Sequence, residues 1–360
     1  MVKDLLGLKA KDTLVGFVNK IDIKLVKYWE SEISTNFGFN QEQKDLVRKI
    51  LEHAKEHNLR TGKRIRASFV YYAYLLGNGV TDEKIWQAAE AVELVHTALL
   101  MHDDFMDQDP LRRGKPTTHV YFGEGDSHYG DAMAVNVGDA VLCMGYERLL
   151  ESGFDSELIK RAMSQLLRGI TNTAYGQAYD VSLPKIGELS EERVMALHKA
   201  KTAIYTYENP LFIGAILGGA SNDVLGILHK YSMLGGVAFQ LQDDILGIFG
   251  DEEKTGKSAD SDLLQGKVTL LVSKALELGN EDQRKIIRKV WGNKEAGDID
   301  INEAKAVIKE SGSYDYSVNV AKKLAKEAAD WASKLRELKL NIEAIDYLEG
   351  IANYLVERDV

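Results

Sequence analysis

The chain has 360 residues, with 55 acidic side chains against 45 lysines and arginines and a formal net charge of −10. This negative balance argues against nonspecific binding of nucleic acid. The single cysteine, Cys143, excludes an intramolecular disulfide and is typical of a reducing compartment, so we expect a cytoplasmic protein. The N-terminus has no signal-peptide core and no uncharged apolar run is long enough to span a membrane, which predicts no transmembrane segment.

Long stripes of apolar residues at helical spacing dominate the sequence, and only four prolines interrupt it. This pattern predicts an all-α fold. No linker rich in proline, glycine and serine divides the chain, and the residues that carry chemistry are spread from 62 to 267. We therefore expect a single domain over residues 1–360.

The first segment of chemical interest is basic, because Lys63, Arg64 and Arg66 follow one another closely after Gly62. Taken alone, a basic surface turn is the more common interpretation of such a cluster.

A helix is predicted over residues 82–107, with Thr81 as its N-cap and Pro110 as its end. Successive side chains are about 100° apart on a helix, so residues three and four apart share one core-facing stripe. The stripe consists of Ile85, Ala89, Val92, His96, Leu99, Leu100, Asp103 and Asp107. An apolar face therefore ends in two carboxylates.

These carboxylates need compensation, because ionised side chains rarely lie in apolar surroundings without a partner. Asp103 and Asp107 are one turn apart and can contact the same ion, whereas Asp104 points about 100° away. Arg112 and Arg113 follow, and guanidinium groups suit phosphate oxygens. The pattern favours a metal ion with bound phosphate, and a solvated acidic helix end is the alternative.

Lys201 and Thr202 precede an apolar segment and carry no functional signal by themselves. Pro210, inside that segment, is expected to kink or interrupt its helix.

A second acidic pair ends the apolar, glycine-dotted segment at 231–250. Gln240, Asp243 and Asp244 lie within about 100° of arc on a helix. Two such pairs far apart in sequence predict opposite walls of one metal site. Carboxylate ligands favour a hard cation such as Mg²⁺, which completes its shell with water and substrate phosphate. A diphosphate substrate is the simplest inference.

The polar, glycine-containing segment 250–267 is predicted to be a loop that closes over substrate. Residues 292–300 are predicted to form another exposed loop, and the region after residue 301 two or more amphipathic helices.

Together these segments resemble the trans-isoprenyl diphosphate synthases, also called polyprenyl synthetases, from about residue 60 to the C-terminus. Five signatures occur in the family's order, namely residues 62–66, Glu93 to His96, Asp103 to Gly114, Lys201-Thr202 and Phe239 to Asp244, and Lys257 and Gly266-Lys267 follow them. The uninterrupted spacing of the first aspartates is most similar to archaeal-type geranylgeranyl diphosphate synthases.

One departure from the family pattern is Gly247, where many members carry a third aspartate. An aspartate substituted there is expected to be tolerated or to tighten the dependence on Mg²⁺.

The resemblance implies the isoprenoid synthase fold, a single large helical bundle around a central cavity, and a homodimer. It implies a Mg²⁺-dependent prenyltransferase that condenses isopentenyl diphosphate with dimethylallyl, geranyl or farnesyl diphosphate by ionisation, condensation and elimination. Because the product is lipid-like, weak contact with a membrane surface is also expected.

The resemblance further implies a role for each candidate residue. Several Mg²⁺ ions would be held by Asp103, Asp107 and Asp243, with Asp104 and Asp244 as further ligands or as groups that hold the ligands. The allylic diphosphate would contact Arg112, Lys201 and Lys257, and isopentenyl diphosphate would contact Lys63, Arg66, His96 and Arg113. Lys267 is a further candidate for binding diphosphate. Thr202 and Gln240 would direct their dipoles at the cationic carbon.

Product length in this family depends on the residues four and five positions before the first aspartate, which here are Leu99 and Ala98. Neither blocks a pocket as an aromatic ring would, so geranylgeranyl diphosphate is the expected product. A longer polyprenyl diphosphate, of twenty-five carbons or more, is the alternative.

Two other functions are alternatives to prenyl transfer for a chain with these motifs. A class I terpene cyclase needs only one diphosphate, and Lys63, Arg66, His96 and the second aspartate pair argue against it. A non-catalytic partner subunit usually lacks one or both aspartate-rich motifs, whereas this chain retains both apart from Gly247.

Overall fold

The structure of the chain is a computed structural model that describes residues 2–35, 38–77, 80–186, 189–250 and 260–357. Its first elements are α1 (Val2–Ser34), α2 (Gln41–Leu59), α3 (Ile65–Gly77), α4 (Glu83–Asp107), β1 (Leu111–Arg112), β2 (Lys115–Pro116), α5 (Thr118–Gly123), α6 (Ser127–Leu150) and α7 (Ser156–Ile186). The remaining elements are α8 (Glu191–His198), a π-helical segment (Lys199–Glu208), α9 (Asn209–Leu217), α10 (Asn222–Phe249), α11 (Ser261–Leu264), α12 (Leu270–Leu278), α13 (Glu281–Val290), α14 (Asp298–Glu310), α15 (Ser313–Ser333), a 3₁₀ turn (Lys334–Leu338) and α16 (Ile342–Tyr354).

The predicted all-α class is confirmed, since β1 and β2 are the only strands in the described ranges. The chain forms two compact units. The N-terminal unit comprises Asp12–Ser164 and Ile213–Ala220, and the C-terminal unit comprises Met1–Lys11, Gln165–Phe212 and Ser221–Val360. The expectation of a single synthase domain over residues 1–360 stays a prediction.

In the N-terminal unit, α4 is surrounded by other helices and buried on nearly every side along its first half. Its core neighbours include Trp29, Phe122 and Met133. Helix α6 approaches α4 closely at Gly145, where an added Cβ would lie 3.0 Å from the Ala91 carbonyl oxygen. Such close backbone approach keeps α4, and therefore the aspartates at its end, in a fixed position.

The ends of α4 follow the predicted chemistry with one correction. The N-cap is Asp82 rather than Thr81, because the Asp82 carboxylate accepts a hydrogen bond from the Ile85 N–H. The helix ends at Asp107, and Gln108 adopts left-handed backbone geometry with φ 55° ahead of Pro110. The end predicted from Pro110 is therefore confirmed.

In the C-terminal unit, α10 packs against α15 and against the π-helical segment. The interruption predicted at Pro210 is not seen, because the chain stays helical through Pro210 into α9, although the preceding segment is π-helical and the Asn209 N–H bonds five residues back to the Ile204 carbonyl. Proline has no N–H to continue the α-helical pattern, and wide π turns commonly occur where that pattern is disturbed.

The predictions for the chain after residue 250 concern two loops and a set of amphipathic helices. Residues 292–297 form turns and α14 begins at Asp298, so the loop predicted at 292–300 is slightly shorter than expected. Helices α14, α15 and α16 account for the amphipathic region after residue 301. Of the loop predicted at 250–267, residues 251–259 lie outside the described residues, and Ser261–Leu264 form the short helix α11, so the loop prediction is wrong at those four residues. No helix in the described ranges is long and apolar enough to cross a bilayer.

Candidate active site

The partly exposed part of the α4 stripe begins at His96. Leu99, Asp103 and Asp107 are partly exposed, whereas Asp104 is fully buried. The rotation predicted from helical geometry therefore separates the aspartates as expected, with the two residues one turn apart on the accessible side. Asp103 and Asp107 have the exposure that a ligand to a bound ion needs.

Asp104 is instead held by protein groups. The Arg112 guanidinium donates hydrogen bonds to one carboxylate oxygen, and His57 Nε2 lies 3.6 Å from the other. Burial alone would raise the pKa of Asp104, but the His57 and Arg112 side chains outweigh burial and hold that pKa below its usual value. Asp104 is therefore a charged anchor for the end of α4, and Arg112 is largely occupied by it.

A short hairpin that the sequence did not predict positions the two arginines. β1 and β2 pair antiparallel, with Arg113 and Gly114 between them at φ 54° and 74°. Two consecutive residues at positive φ make the tight turn whose twist matches a hairpin. Arg112 at the end of β1 points toward Asp104, and the following residue, Arg113, is directed elsewhere.

Arg113 belongs to a cluster of cationic side chains in the N-terminal unit. It donates a hydrogen bond to the Arg60 carbonyl, and Arg66 Nη1 lies 2.9 Å from His96 Nε2. Burial and the Arg64 and Arg112 charges lower the pKa of Arg113 to about 10. Several cationic side chains therefore lie near Arg113, with Glu93 as an opposing charge, and a bound anion would offset their mutual repulsion.

His96 is neutral in this surrounding, because burial and then the Arg66 and Arg113 charges hold its pKa well below the usual value. Its Nε2 accordingly accepts from Arg66, and its Nδ1 carries the proton. Lys63 is exposed, and Arg64 is tied to Asp22 and Glu93 by ion pairs of 2.8 and 3.1 Å.

The two residues expected to set product length have different surroundings. Ala98 is fully buried in the core cluster with Leu94 and Met101. Leu99 is partly exposed on the same side as Asp103. Of the two, Leu99 has the placement that a pocket-lining residue requires.

In the C-terminal unit, the π-helical segment carries Lys201 and Thr202. The wide segment fits because neighbouring helices present glycines to it. A Cβ on Gly236 of α10 would overlap the Ala203 Cα, and one on Gly176 of α7 would lie 2.9 Å from the Lys201 nitrogen. The backbone around Lys201 and Thr202 is therefore fixed from two sides.

The side chains of this segment join a polar network. Lys201 Nζ lies 2.8 Å from an Asp180 oxygen. The Thr202 hydroxyl donates to Gln240 Oε1 at 2.7 Å, and Gln240 Nε2 donates to Asp244 Oδ1 at 2.8 Å. Asp244 Oδ2 lies 3.0 Å from His198 Nε2. The structure therefore pairs Lys201 with Asp180, and it brings together three other predicted residues, Thr202, Gln240 and Asp244, beside His198, which the sequence did not indicate.

Asp243 and Asp244 repeat the pattern of the first motif. Asp243 is partly exposed, and Asp244 is only 7% exposed. Asp243 accordingly has the accessible carboxylate of this pair.

The space beside Gly247, where a side chain would extend from α10, is filled by a residue of another helix. A Cβ on Gly247 would overlap the Oδ2 atom of Asp262 and lie 3.1 Å from its Cγ. Asp262 is 9% exposed, and its other oxygen lies 2.9 Å from Lys267 Nζ. Lys267 is therefore engaged with Asp262, and Lys257 lies outside the described residues.

The donors of the first motif fit Mg²⁺. No group of three or more histidine, cysteine, aspartate or glutamate side chains converges in the described ranges. Asp103 and Asp107 alone supply two carboxylates on one accessible side of α4. Mg²⁺ is commonly bound by one or two carboxylates and takes its remaining ligands from water and phosphate. These residues thus suit an ion that arrives with a diphosphate.

Sequence reasoning missed the residues that hold the candidate site in place. Asp180 contacts Lys201, and Asp262 fills the space beside Gly247. His57 and His198 each face a buried aspartate. Asp180 lies four residues after Gly176, a spacing that could have suggested a shared face of α7. The other contacts join distant segments, and no local pattern indicates them.

The chain is similar to known proteins over most of its length. The family model described as polyprenyl synthetase matches residues 48–308. The geranylgeranyl diphosphate synthase of Saccharolobus solfataricus is 36% identical over 91% of this chain and 96% of its own length. The geranylfarnesyl diphosphate synthase of Aeropyrum pernix is 32% identical over 82% of this chain and 90% of its own length.

A solved structure is similar over nearly the whole chain. The geranylgeranyl pyrophosphate synthase of Corynebacterium glutamicum, complexed with isoprenyl diphosphate and magnesium, has a TM-score of 0.86 and 27% sequence identity. The match covers 97% of this chain and 99% of that one. The helical architecture predicted from the resemblance is thereby confirmed.

Proposed function

Because the chain belongs to the polyprenyl synthetase family, we propose that it condenses isopentenyl diphosphate with an allylic diphosphate and releases a longer trans-prenyl diphosphate. The observation that carries the proposal is the cationic cluster in the N-terminal unit. Burial and then the neighbouring arginine charges lower the pKa of Arg113 to about 10. A doubly charged diphosphate is the ligand that suits such a cluster.

We assign separate cationic side chains to each of the two diphosphate substrates. Arg66, Arg113 and the Nδ1–H of His96 are donors to isopentenyl diphosphate in this proposal, with the exposed Lys63 at the rim. Lys201 and Arg112 contribute charge to the allylic diphosphate, although Arg112 also anchors Asp104. Lys257 and Lys267 remain further candidates for this role.

The metal proposal rests on the accessible aspartates. Asp103, Asp107 and Asp243 are the proposed Mg²⁺ ligands, whereas Asp104 and Asp244 are better suited to hold neighbouring side chains. When bound, Mg²⁺ supplies positive charge that stabilises the departing diphosphate. Bound magnesium in the Corynebacterium glutamicum structure supports this choice of ion.

The chemistry needs no nucleophilic side chain. The allylic carbon–oxygen bond breaks and diphosphate leaves with the electron pair. The double bond of isopentenyl diphosphate then attacks the allylic cation, and a proton passes to the released diphosphate. Thr202 and Gln240 supply oxygen dipoles that stabilise positive charge without being alkylated readily, so positioning and electrostatics carry the catalysis.

Geranylgeranyl diphosphate is the proposed product. The geranylgeranyl name of the Saccharolobus solfataricus relative supports it, and the Aeropyrum pernix relative keeps the geranylfarnesyl product as the second candidate. Leu99, partly exposed beside Asp103, is the residue proposed to limit chain length.

The test is turnover of labelled isopentenyl diphosphate with Mg²⁺ and each of dimethylallyl, geranyl and farnesyl diphosphate, followed by chromatographic sizing. Geranylgeranyl diphosphate is the expected product. Cyclic hydrocarbon formed without isopentenyl diphosphate would identify a terpene cyclase. Activity that appears only after a second subunit is added would identify a partner subunit.

Assembly and location stay proposals. We propose a homodimer in the cytoplasm, with at most weak contact to a membrane surface. Light scattering at several protein concentrations and co-sedimentation with vesicles test the first and last of these.

A further inference from the structure

His198 ends α8 directly before the π-helical segment and is 4% exposed. Its Nε2 and the Oδ2 of Asp244 are 3.0 Å apart in a close contact, and neither atom makes a hydrogen bond of good geometry in the described ranges. Two buried polar atoms that face each other at this distance are the natural partners for one another. The imidazole is therefore the nearest polar group to the Oδ2 side of the buried Asp244 carboxylate.

The other half of that carboxylate determines the orientation of Gln240. A carboxylate can only accept hydrogen bonds, so the end of the Gln240 amide that faces Asp244 must be the NH₂ group. The amide oxygen consequently faces Thr202, and the Thr202 hydroxyl must donate to it. This leaves the lone pairs of the Thr202 oxygen for a neighbouring positive charge.

Without the imidazole, Oδ2 of Asp244 would be a buried acceptor with no polar group beside it, and the carboxylate would turn to find one. Gln240 would then lose the contact that fixes its amide. A hydroxyl can donate or accept, so Thr202 cannot fix the amide direction alone. A reversed amide would present N–H groups where the wild-type chain presents oxygen.

We propose that His198 is a positioning residue that acts through Asp244 to hold Gln240 and Thr202 with their oxygen dipoles aligned for the allylic cation. The proposal rests on the prenyltransferase function proposed above. It assigns His198 no contact with substrate or metal, and it leaves Asp243 as the accessible carboxylate of the second motif.

The kinetic test compares His198→Ala with His198→Gln, which keeps a donor able to reach Asp244. Loss of a group that orients a catalytic residue typically costs about 10- to 100-fold in activity. His198→Ala should therefore lower kcat on that order while KM for both diphosphates stays nearly constant, and His198→Gln should recover most of the loss. Equal loss in the two variants, or a change confined to KM, would overturn the proposal.

His229→Ala is the control for loss of an imidazole–carboxylate contact as such, because it removes a more exposed pair, with Glu208, in the same unit. It should leave kcat close to the wild-type value. A fall in kcat as large as that of His198→Ala would assign the effect to general loss of ion pairs and count against the proposal.

A second measurement is independent of turnover. The side-chain NH₂ signals of Gln240, assigned by their absence in Gln240→Leu, should exchange slowly in the wild-type chain and faster in His198→Ala. Unchanged exchange would overturn the coupling. If the wild-type chain failed to condense isopentenyl diphosphate with any primer, the proposed prenyltransferase function would be wrong. The exchange data would still decide whether His198 fixes the Gln240 amide.

Discussion

The space beside Gly247 gives the sharpest energetic prediction. A Cβ there would overlap Asp262 Oδ2 and lie 3.1 Å from Cγ, inside the 3.4 Å at which ordinary contact begins. Displacing the Asp262 carboxylate also disturbs its 2.9 Å ion pair with Lys267. Overpacking of this kind costs about 1–3 kcal/mol, whereas alanine in place of glycine within a helix gains up to about 1 kcal/mol.

Gly247→Ala should therefore lower the free energy of unfolding by about 0–2 kcal/mol in the wild-type chain. In an Asp262→Ala background the obstruction is absent, so the same substitution should raise stability by up to about 1 kcal/mol. Denaturant unfolding of the two single variants and the double variant measures this reversal of sign. Gly226→Ala is the control, because a Cβ at that position of α10 meets nothing within 4 Å.

Equal effects of Gly247→Ala in the two backgrounds would refute the argument, since they would mean that Asp262 does not occupy this space in solution. The same geometry revises the expectation for Gly247→Asp. Two like charges about 4 Å apart repel by about 4 kcal/mol at an effective dielectric of 20. We now expect that variant to lose stability and activity rather than to be tolerated.

Three further predictions concern the N-terminal unit. Asp103→Ala should lower kcat/KM by about a hundredfold or more in a Mg²⁺-dependent assay, because it removes an accessible carboxylate, and a near-normal rate would contradict the metal proposal. Leu99→Phe should shorten the product seen by chromatography. Ala98→Phe should mainly reduce thermal stability, because Ala98 is fully buried. If Ala98→Phe alone shortened the product, Ala98 rather than Leu99 would be the residue that limits chain length. Burial, then His57 and Arg60, lower the pKa of His53 to about 3, so the unfolded chain binds more protons below about pH 6.5 and stability should fall as pH drops from 6.5 toward 3. The slope should be up to about 1.4 kcal/mol per pH unit from this group, and His53→Gln should remove that contribution in urea unfolding at pH 7 and pH 5; identical slopes would contradict it.

The sequence predicted what depends on local periodicity. The α4 stripe and the separation of Asp103 from Asp104 follow from the helical repeat alone, and the structure bears out both. Each of these features is determined by residues within two turns of one another.

The features that the sequence did not predict depend on contacts between distant segments. The π-helical form of residues 199–208 needs Gly176 and Gly236 on two other helices. A single glycine in a helical sequence does not indicate that a π-helical segment will pack against it. The occupant of the space beside Gly247 lies on α11, so the missing third aspartate could be noticed in the sequence but its consequence could not. Hairpin formation after Asp109 depends on Arg113 accepting positive φ, which few sequence patterns would favour.

The two aspartate pairs share a division of roles that neither motif reveals by itself. In each pair the first aspartate, Asp103 or Asp243, is partly exposed, and the second is buried. Each buried carboxylate faces a histidine Nε2, at 3.6 Å for Asp104 and 3.0 Å for Asp244.

Each also binds one further side chain, Arg112 for Asp104 and Gln240 for Asp244. Adjacent residues on a helix point about 100° apart, so a pair of aspartates can direct one charge outward and one inward. A metal site needs ligands that do not turn away, and the inward carboxylate fixes the helix and its polar neighbours around the outward one. On this argument, replacing Asp104 or Asp244 by asparagine should impair catalysis by displacing Arg112 or Gln240, with a smaller effect on the Mg²⁺ concentration needed than replacing Asp103.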